Sequence, residues 1–214
     1  MAFIGGQCFI EHKPFLLGIC GPTCSGKTIV SNKISLKFKH LKNLVFSLDM
    51  YYKNLSGKIN PLNYNFDNPK ALDYPFILKN IKNLINKREI KKPIYDFKKH
   101  KRVGYEKIKG KFDLVIIEGI FVFYFKKLRN LLDFKIFLEV DEKEIYSRRI
   151  ERDLKMRGSN IDFIKRQLEK FVFLGIEKYV IPYKKYSDLI IPSNIGLKEK
   201  INLISNEISK FLVK

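Results

Sequence analysis

Tryptophan is absent from the 214-residue chain, and cysteine is scarce. Cys8, Cys20 and Cys24 lack the paired spacing of a zinc site and are too few for a disulfide framework, so the usage fits reduced thiols in a cytosol. Long hydrophobic runs are missing as well. The longest unbroken apolar stretch, Gly119 to Phe125, falls far short of the roughly 20 residues that a membrane span needs, and the first residues have neither the basic start nor the long apolar core of a secretory signal. A cytoplasmic protein with no membrane partner is expected. Internal repeats, low-complexity segments, linkers and a guanine-reading NKxD element are also lacking. Acidic residues are few beside basic ones, 22 against 42, for a formal net charge of +20. Such an excess favours polyanions, nucleotides and nucleic acid among them. The lysines are nevertheless spread along the whole chain among Ile, Asn and Phe, as a compositional bias of the coding sequence would leave them, and no nucleic-acid partner is expected.

What the chain does have is core material, with 45% hydrophobic residues, enough for one sizeable α/β domain over residues 1–214. Apolar β-rich runs alternate with longer helix-like stretches, the pattern of a mostly parallel sheet covered by helices on both faces. Strands are predicted at Phe15 to Cys20, Leu44 to Leu48, Leu114 to Ile117, Phe134 to Val140 and Leu189 to Ile191. Helices are predicted from Lys27 to about Lys39, Phe76 to Lys87, Glu142 to Arg157, Ile161 to Val180 and Leu197 to Leu212. Asp141 is positioned to cap the third of these and Gly158 to stop it. About residues 90–108, two β-like runs flank a basic connection and predict a hairpin appended to the main sheet.

The strongest chemical signal is GPTCSGKT, Gly21 to Thr28, which fits GxxxxGK[ST] and lies between a predicted strand and a predicted helix. In such a loop the backbone of Gly21, Pro22, Thr23, Cys24, Ser25 and Gly26 curls so that its N–H groups and the helix N-terminus face phosphate oxygens. Lys27 adds a point charge toward the terminal phosphates, and the Thr28 hydroxyl can ligate Mg²⁺. A phosphate loop defines a nucleotide-binding fold without saying what the phosphate is for. The acceptor side must decide. Asp49 closes the run FSLDMYY and Glu118 closes another, so both carboxylates fall on the rim of the sheet that carries the loop. Asp49 could accept the proton of an attacking hydroxyl or orient a metal-bound water, and Glu118 could bind Mg²⁺ through water; either could instead cap a turn.

Seven motifs in order, GPTCSGKT, SLDMYYK, NFDNPKALD, PIYDFKKHKR, VIIEGIFVF, SRRIERDLKMRG and PYKKYSDLIIP, give the chain a resemblance to the uridine kinase family of P-loop kinases from the phosphate loop to about Pro192. The resemblance implies phosphorylation of uridine or cytidine at the ribose 5′-hydroxyl by ATP or GTP with Mg²⁺, and a homo-oligomer, a tetramer. It assigns Asp49 as base and Tyr52 to the nucleoside site. Asp67 falls on the position that binds the ribose hydroxyls, and Tyr95, Phe97 and His100 on the hairpin that holds the pyrimidine. Arg149 is implied near the acceptor and Gln167 near the nucleoside, while Arg152 and Arg157 belong to a helical lid, about residues 149–165, that closes over the triphosphate. Each also has an ordinary reading, Tyr95 and Phe97 as hairpin core, His100 as a turn residue, and the arginines as partners of Asp153 or Glu151. The chain departs from the family at Ser159, where a second arginine usually reaches the nucleoside, and in the segment after Gln167, where Leu168 replaces a common tyrosine and the usual proline is missing. The alternatives are a sister kinase acting on another small alcohol, such as phosphoribulose or pantothenate, and a basic nucleic-acid-binding P-loop protein supported locally by Lys98 to Arg102.

Overall fold

The computed structural model describes residues 13–212, so Cys8 and the first residues lie outside it. Five strands, β1 (Phe15–Cys20), β2 (Asn43–Ser47), β5 (Leu114–Glu118), β6 (Phe134–Leu138) and β7 (Leu189–Ile191), form one parallel sheet in the order β2-β5-β1-β6-β7. Alternation along each strand divides the core into two layers. On one face, Leu17 and Ile19 of β1 join Leu114, Ile116 and Ile136 beneath α1 (Lys27–Lys37) and α7 (Leu197–Leu212), which supply Val30, Ile34, Ile204 and Ile208. On the other face, Leu16 and Cys20 join Phe46, Val115, Ile117 and Phe137 against Ile77 and Ile81 of α2 (Tyr74–Ile85) and Leu128 of the short α3 (Lys126–Arg129). The three-layer α/β fold anticipated from alternating runs is the observed one.

Several details depart from expectation. The strands β3 (Ile90–Asp96) and β4 (Lys101–Ile108) do form a hairpin, but as a separate two-stranded sheet that is not hydrogen-bonded to the main one. It is held by side chains instead: Asn80 on α2 donates to the Lys91 carbonyl, and Arg102 donates to the carbonyls of Tyr51 and Tyr52 and to Asp73. The apolar run Gly119 to Phe125 forms turns that bury Phe121 and Phe123. Helix α4 (Glu142–Arg157) has its expected bounds and ends at Gly158 in the left-handed conformation, φ 62°. At its start the Asp141 side chain does not cap the helix; it accepts a hydrogen bond from the Ser193 hydroxyl. The long helix expected from Ile161 to Val180 is α5 (Ile161–Gln167) and α6 (Phe173–Tyr179), joined through a π-helical turn at Leu168–Val172. Such a turn inserts one residue into the hydrogen-bond ladder and re-aims the side chains that follow.

Candidate active site

The chain reverses direction across the sheet at β1, because β5 lies on one side of it and β6 on the other. Open α/β sheets bind ligands at the carboxyl end of such a switch point. There β1 runs into the loop Gly21 to Gly26, and α1 starts at Lys27 with Gly26 before it at φ 88°, a conformation that glycine adopts without the strain another residue would meet. Gly21 is required by space: a Cβ there would lie 2.3 Å from the Leu138 carbonyl oxygen. Cys24 takes φ 62° despite its side chain.

Lys27 is nearly inaccessible, and its ammonium donates to the carbonyls of Gly21 at 3.0 Å and Pro22 at 2.7 Å and to the Ser25 hydroxyl at 3.4 Å. Burial lowers its proton affinity, while Glu118 and then Asp49 act in the opposite sense. The Thr28 hydroxyl donates to Glu118 at 3.3 Å. Burial, and next the nearby Asp49 charge, raise the Glu118 pKa against the effects of Lys27 and of hydrogen bonds from Ser47 and Thr28. Two carboxylates and one ammonium therefore interact at the mouth of the phosphate loop. Asp49 lies just past the end of β2, in a 3₁₀ turn at Leu48–Tyr51, where its N–H donates to Ser47 Oγ. Thr28, Asp49 and Glu118 offer oxygen only, the donor type that a hard divalent cation selects. The residues present fit Mg²⁺.

Beside the loop lies a cavity that collects residues from several separate segments. Thr23 and Asp49 line its donor side, and Tyr52, Asp67, Tyr95, Phe97 and His100 its far wall. Arg149, Arg152, Arg157 and Gln167 enter from α4 and α5. Eleven of the residues singled out in the sequence thus meet in one place, while Lys27, Thr28 and Glu118 stand in the adjoining loop mouth. Phe66, Ile120, Asp153, Ser159 and Phe163 also line the cavity. The sequence did not single out Phe66, Ile120 or Phe163 as site residues, and their types, apolar and aromatic, carried no signal distinguishing them from core.

The far wall is aromatic. Tyr52 meets Tyr95 at 5.6 Å, and its hydroxyl donates to the Phe66 carbonyl. Phe66 stacks on His100 at 4.9 Å, and Tyr95 meets Phe97 edge-on at 5.2 Å. The Arg157 guanidinium lies over the Phe97 ring at 4.4 Å, a cation–π contact that anchors α4 to the hairpin. Asp153 gathers the arginines. It accepts from Arg149 Nε and from Arg152 Nε, each at 2.8 Å, and lies 3.4 Å from Arg157 Nε. Although burial pushes its carboxyl up, the charges of Arg149, Arg157 and Arg152 hold it below the usual carboxylate range. Arg149 also donates to the Thr23 hydroxyl at 2.9 Å and approaches Asp67 at 3.8 Å. Burial alone would lower the Arg149 pKa; Asp67 and Asp153 raise it above the ordinary value.

Four atoms of the cavity-lining residues are buried without a hydrogen-bond partner: Asp67 Oδ2, Tyr95 Oη, Gln167 Oε1 and Arg152 Nη2. The Gln167 amide nitrogen, by contrast, donates to the carbonyls of Pro61, Leu62 and Tyr64 and fixes the loop in front of Asp67. An unpaired buried polar atom costs about 1–3 kcal/mol, and the four residues that carry these atoms all line the cavity.

Hydrolysis would require only the phosphate cradle and a water. A carboxylate across from the cradle, with a walled second chamber behind it, is the provision for a phosphoryl acceptor, and the class so defined is the P-loop kinase. The chain belongs to the phosphoribulokinase / uridine kinase family, whose model matches residues 16–196. It is 38% identical over 208 residues to the uridine kinase of Clostridium novyi (strain NT), covering 94% of this chain and 97% of that protein. It is also 38% identical over 195 residues to uridine-cytidine kinase A of Dictyostelium discoideum, which covers 91% of this chain but only 39% of that longer protein. The fold superimposes on phosphoribulokinase from Rhodobacter spheroides with a TM-score of 0.63 at 10% identity, over 89% of this chain and 74% of that one, a likeness of fold alone.

Proposed function

We propose that the protein transfers the γ-phosphoryl group of ATP, or GTP, to the 5′-hydroxyl of uridine or cytidine, giving UMP or CMP. The observation that carries this reading is the set of four unpartnered buried atoms on an aromatic-walled cavity beside the phosphate loop. A planar base with polar edges and a ribose with two free hydroxyls is a ligand of that description, and the names of the relatives at 38% identity support the same substrate. Thr23, Lys27 and the loop backbone bind the donor, Asp67 the ribose hydroxyls, and Tyr95, Phe97 and His100 the base. Asp49 takes the proton of the 5′-hydroxyl as its oxygen attacks phosphorus in line and the bond to the departing diphosphate breaks. Arg149 and Arg152 face the transferring group, where fixed positive charge lowers the barrier without reorganisation. Thr28, Asp49 and Glu118 would hold Mg²⁺, which when bound neutralises phosphate charge.

The cavity measures about 50 Å³, well below the roughly 300 Å³ at which ligand pockets begin. Residues 149–165, tied to the hairpin by Arg157 over Phe97, act as the lid that opens to admit a nucleoside. The reading also makes the protein a cytoplasmic homo-oligomer, a tetramer by family likeness; among the described residues no helix is long and apolar enough to cross a membrane. The aromatic wall disfavours phosphoribulose or pantothenate as acceptor, since neither presents a planar ring.

The test is a turnover assay of purified protein with MgATP against uridine, cytidine, ribulose 5-phosphate and pantothenate. Formation of UMP and CMP is expected. Turnover confined to the last two acceptors, or none at all while a control kinase works, overturns the assignment.

A further inference from the structure

His100 is the last residue of the hairpin connection, next to the start of β4, with φ 49°, and its carbonyl accepts from Leu55 N at 2.9 Å. Its ring is held through aromatic contacts, by Phe66 at 4.9 Å and 26° and by Phe163 at 6.2 Å and 39°, and among the described residues no hydrogen bond fixes its nitrogens. The contacts come from different parts of the chain. Phe66 lies in the acceptor loop and Phe163 in the first turn of α5, where Asn160 accepts from its N–H at 2.8 Å and sets the start of the helix. Phe163 packs at the edge of the small core of Ile145, Ile164 and Leu168. Ser159, two residues before that helix, is too short to approach the ring as a cation would.

We infer that Phe163 is a positioning residue for base recognition: its ring fixes the His100 imidazole against Phe66 and keeps water from it, so that the free ring nitrogens meet the edge of the acceptor base. The inference rests on the nucleoside kinase reading above. Burial, and then the Arg157 guanidinium, hold the imidazole below its ordinary pKa, with Asp96 pulling the other way; Lys98 and Lys99 flank it in the loop. A neutral imidazole carries one donor and one acceptor and can present either one. It can donate to the carbonyl of uracil or accept from the amine of cytosine at the same place, provided its ring does not tilt away. Since Phe163 belongs to the lid and His100 to the hairpin, the contact also makes lid closure the step that completes base recognition.

The experiment compares wild type, Phe163→Leu and Phe163→Tyr by steady-state kinetics with both nucleosides and by NMR titration of the His100 imidazole, assigned with His100→Gln. For Phe163→Leu, the nucleoside KM should rise roughly 2- to 12-fold, the worth of one aromatic pair, while kcat and the ATP KM change less than about twofold. The His100 titration should move up toward that of an ordinary histidine, and Phe163→Tyr should restore both. An unchanged nucleoside KM, an equal rise in both KM values, or an unmoved His100 titration overturns the inference. If wild type phosphorylates neither nucleoside, the proposed function is lost, and the titration alone then decides whether Phe163 fixes His100.

Discussion

Lys27, in the phosphate loop, and Asp67, in the acceptor loop, are both charged and both buried, and they are accommodated in opposite ways. Lys27 has three oxygen partners within its own loop, and neighbouring Thr28 is satisfied by Glu118. Asp67 has an oxygen with no hydrogen bond and an arginine no nearer than 3.8 Å. The chamber around it repeats the pattern in Tyr95, Gln167 and Arg152. A satisfied site can remain rigid without ligand and receives an anionic tail that every nucleoside triphosphate shares. A site with unpaired atoms holds polarity for a ligand that matches them, and buried unsatisfied groups are what reject a ligand lacking the right partners. On the proposed function, generality toward the donor and selectivity toward the acceptor would have a common physical basis.

Asp49 stands between the halves and gives the sharpest means of separating them. Asp49→Asn keeps the shape and removes the proton acceptor, so kcat should fall by about 10²- to 10⁴-fold, while the dissociation constant for ATP, measured by calorimetry, changes less than about threefold. Loss of ATP binding in step with turnover would instead assign Asp49 to the donor half.

Asp153 tests whether the arginines that bridge the halves form one unit. Its carboxylate is 4% exposed and pairs with Arg149, Arg152 and Arg157. Asp153→Ala leaves those cations without their common anion and should cost about 3 kcal/mol in urea denaturation. The pH dependence has a definite sign. Because its pKa is lower folded than unfolded, Asp153 contributes its full stability above the ordinary carboxylate range, and that contribution is lost as pH falls through the folded value. The wild-type and variant midpoints should therefore converge in acid. A loss below about 1 kcal/mol would mean that the arginines are held independently.

The same contrast explains what could be read from the sequence. The donor half is contiguous: eight residues from Gly21 to Thr28 specify strand end, turn, cation and hydroxyl, and the apolar runs around them fixed all five sheet strands to within about two residues. Asp49 was legible as the carboxylate that closes an apolar run, but the far side of the cavity is assembled from the loop before Asp67, the hairpin, α4 and α5, so its members were visible only as motifs resembling a family. Phe66 and Phe163 stayed hidden because an aromatic residue beside a core looks like core. The π-turn at Leu168–Val172 was hidden because one extra residue in a helical ladder leaves no change of composition. The hairpin was visible as two β-like runs, but its separation from the main sheet depends on Asn80 and Arg102, side chains on other elements.

The smallest expected effect is also the most diagnostic, because its two readouts have opposite signs. Tyr95 Oη is buried and unpartnered, and burial followed by Tyr64 pushes its pKa up to about 12, so at neutral pH the hydroxyl is a neutral group with a hydrogen bond to give. Tyr95→Phe removes that hydroxyl and keeps the ring packed against Tyr52 and Phe97. If the hydroxyl is kept for the base, the unliganded protein loses an unsatisfied group and should gain up to about 1 kcal/mol in urea denaturation. The nucleoside KM should rise about 3- to 10-fold, the worth of one neutral hydrogen bond, with the ATP KM unchanged. A loss of stability with an unchanged nucleoside KM would make Tyr95 a structural residue, satisfied as Lys27 is, and would leave the acceptor chamber with fewer open positions than a nucleoside needs.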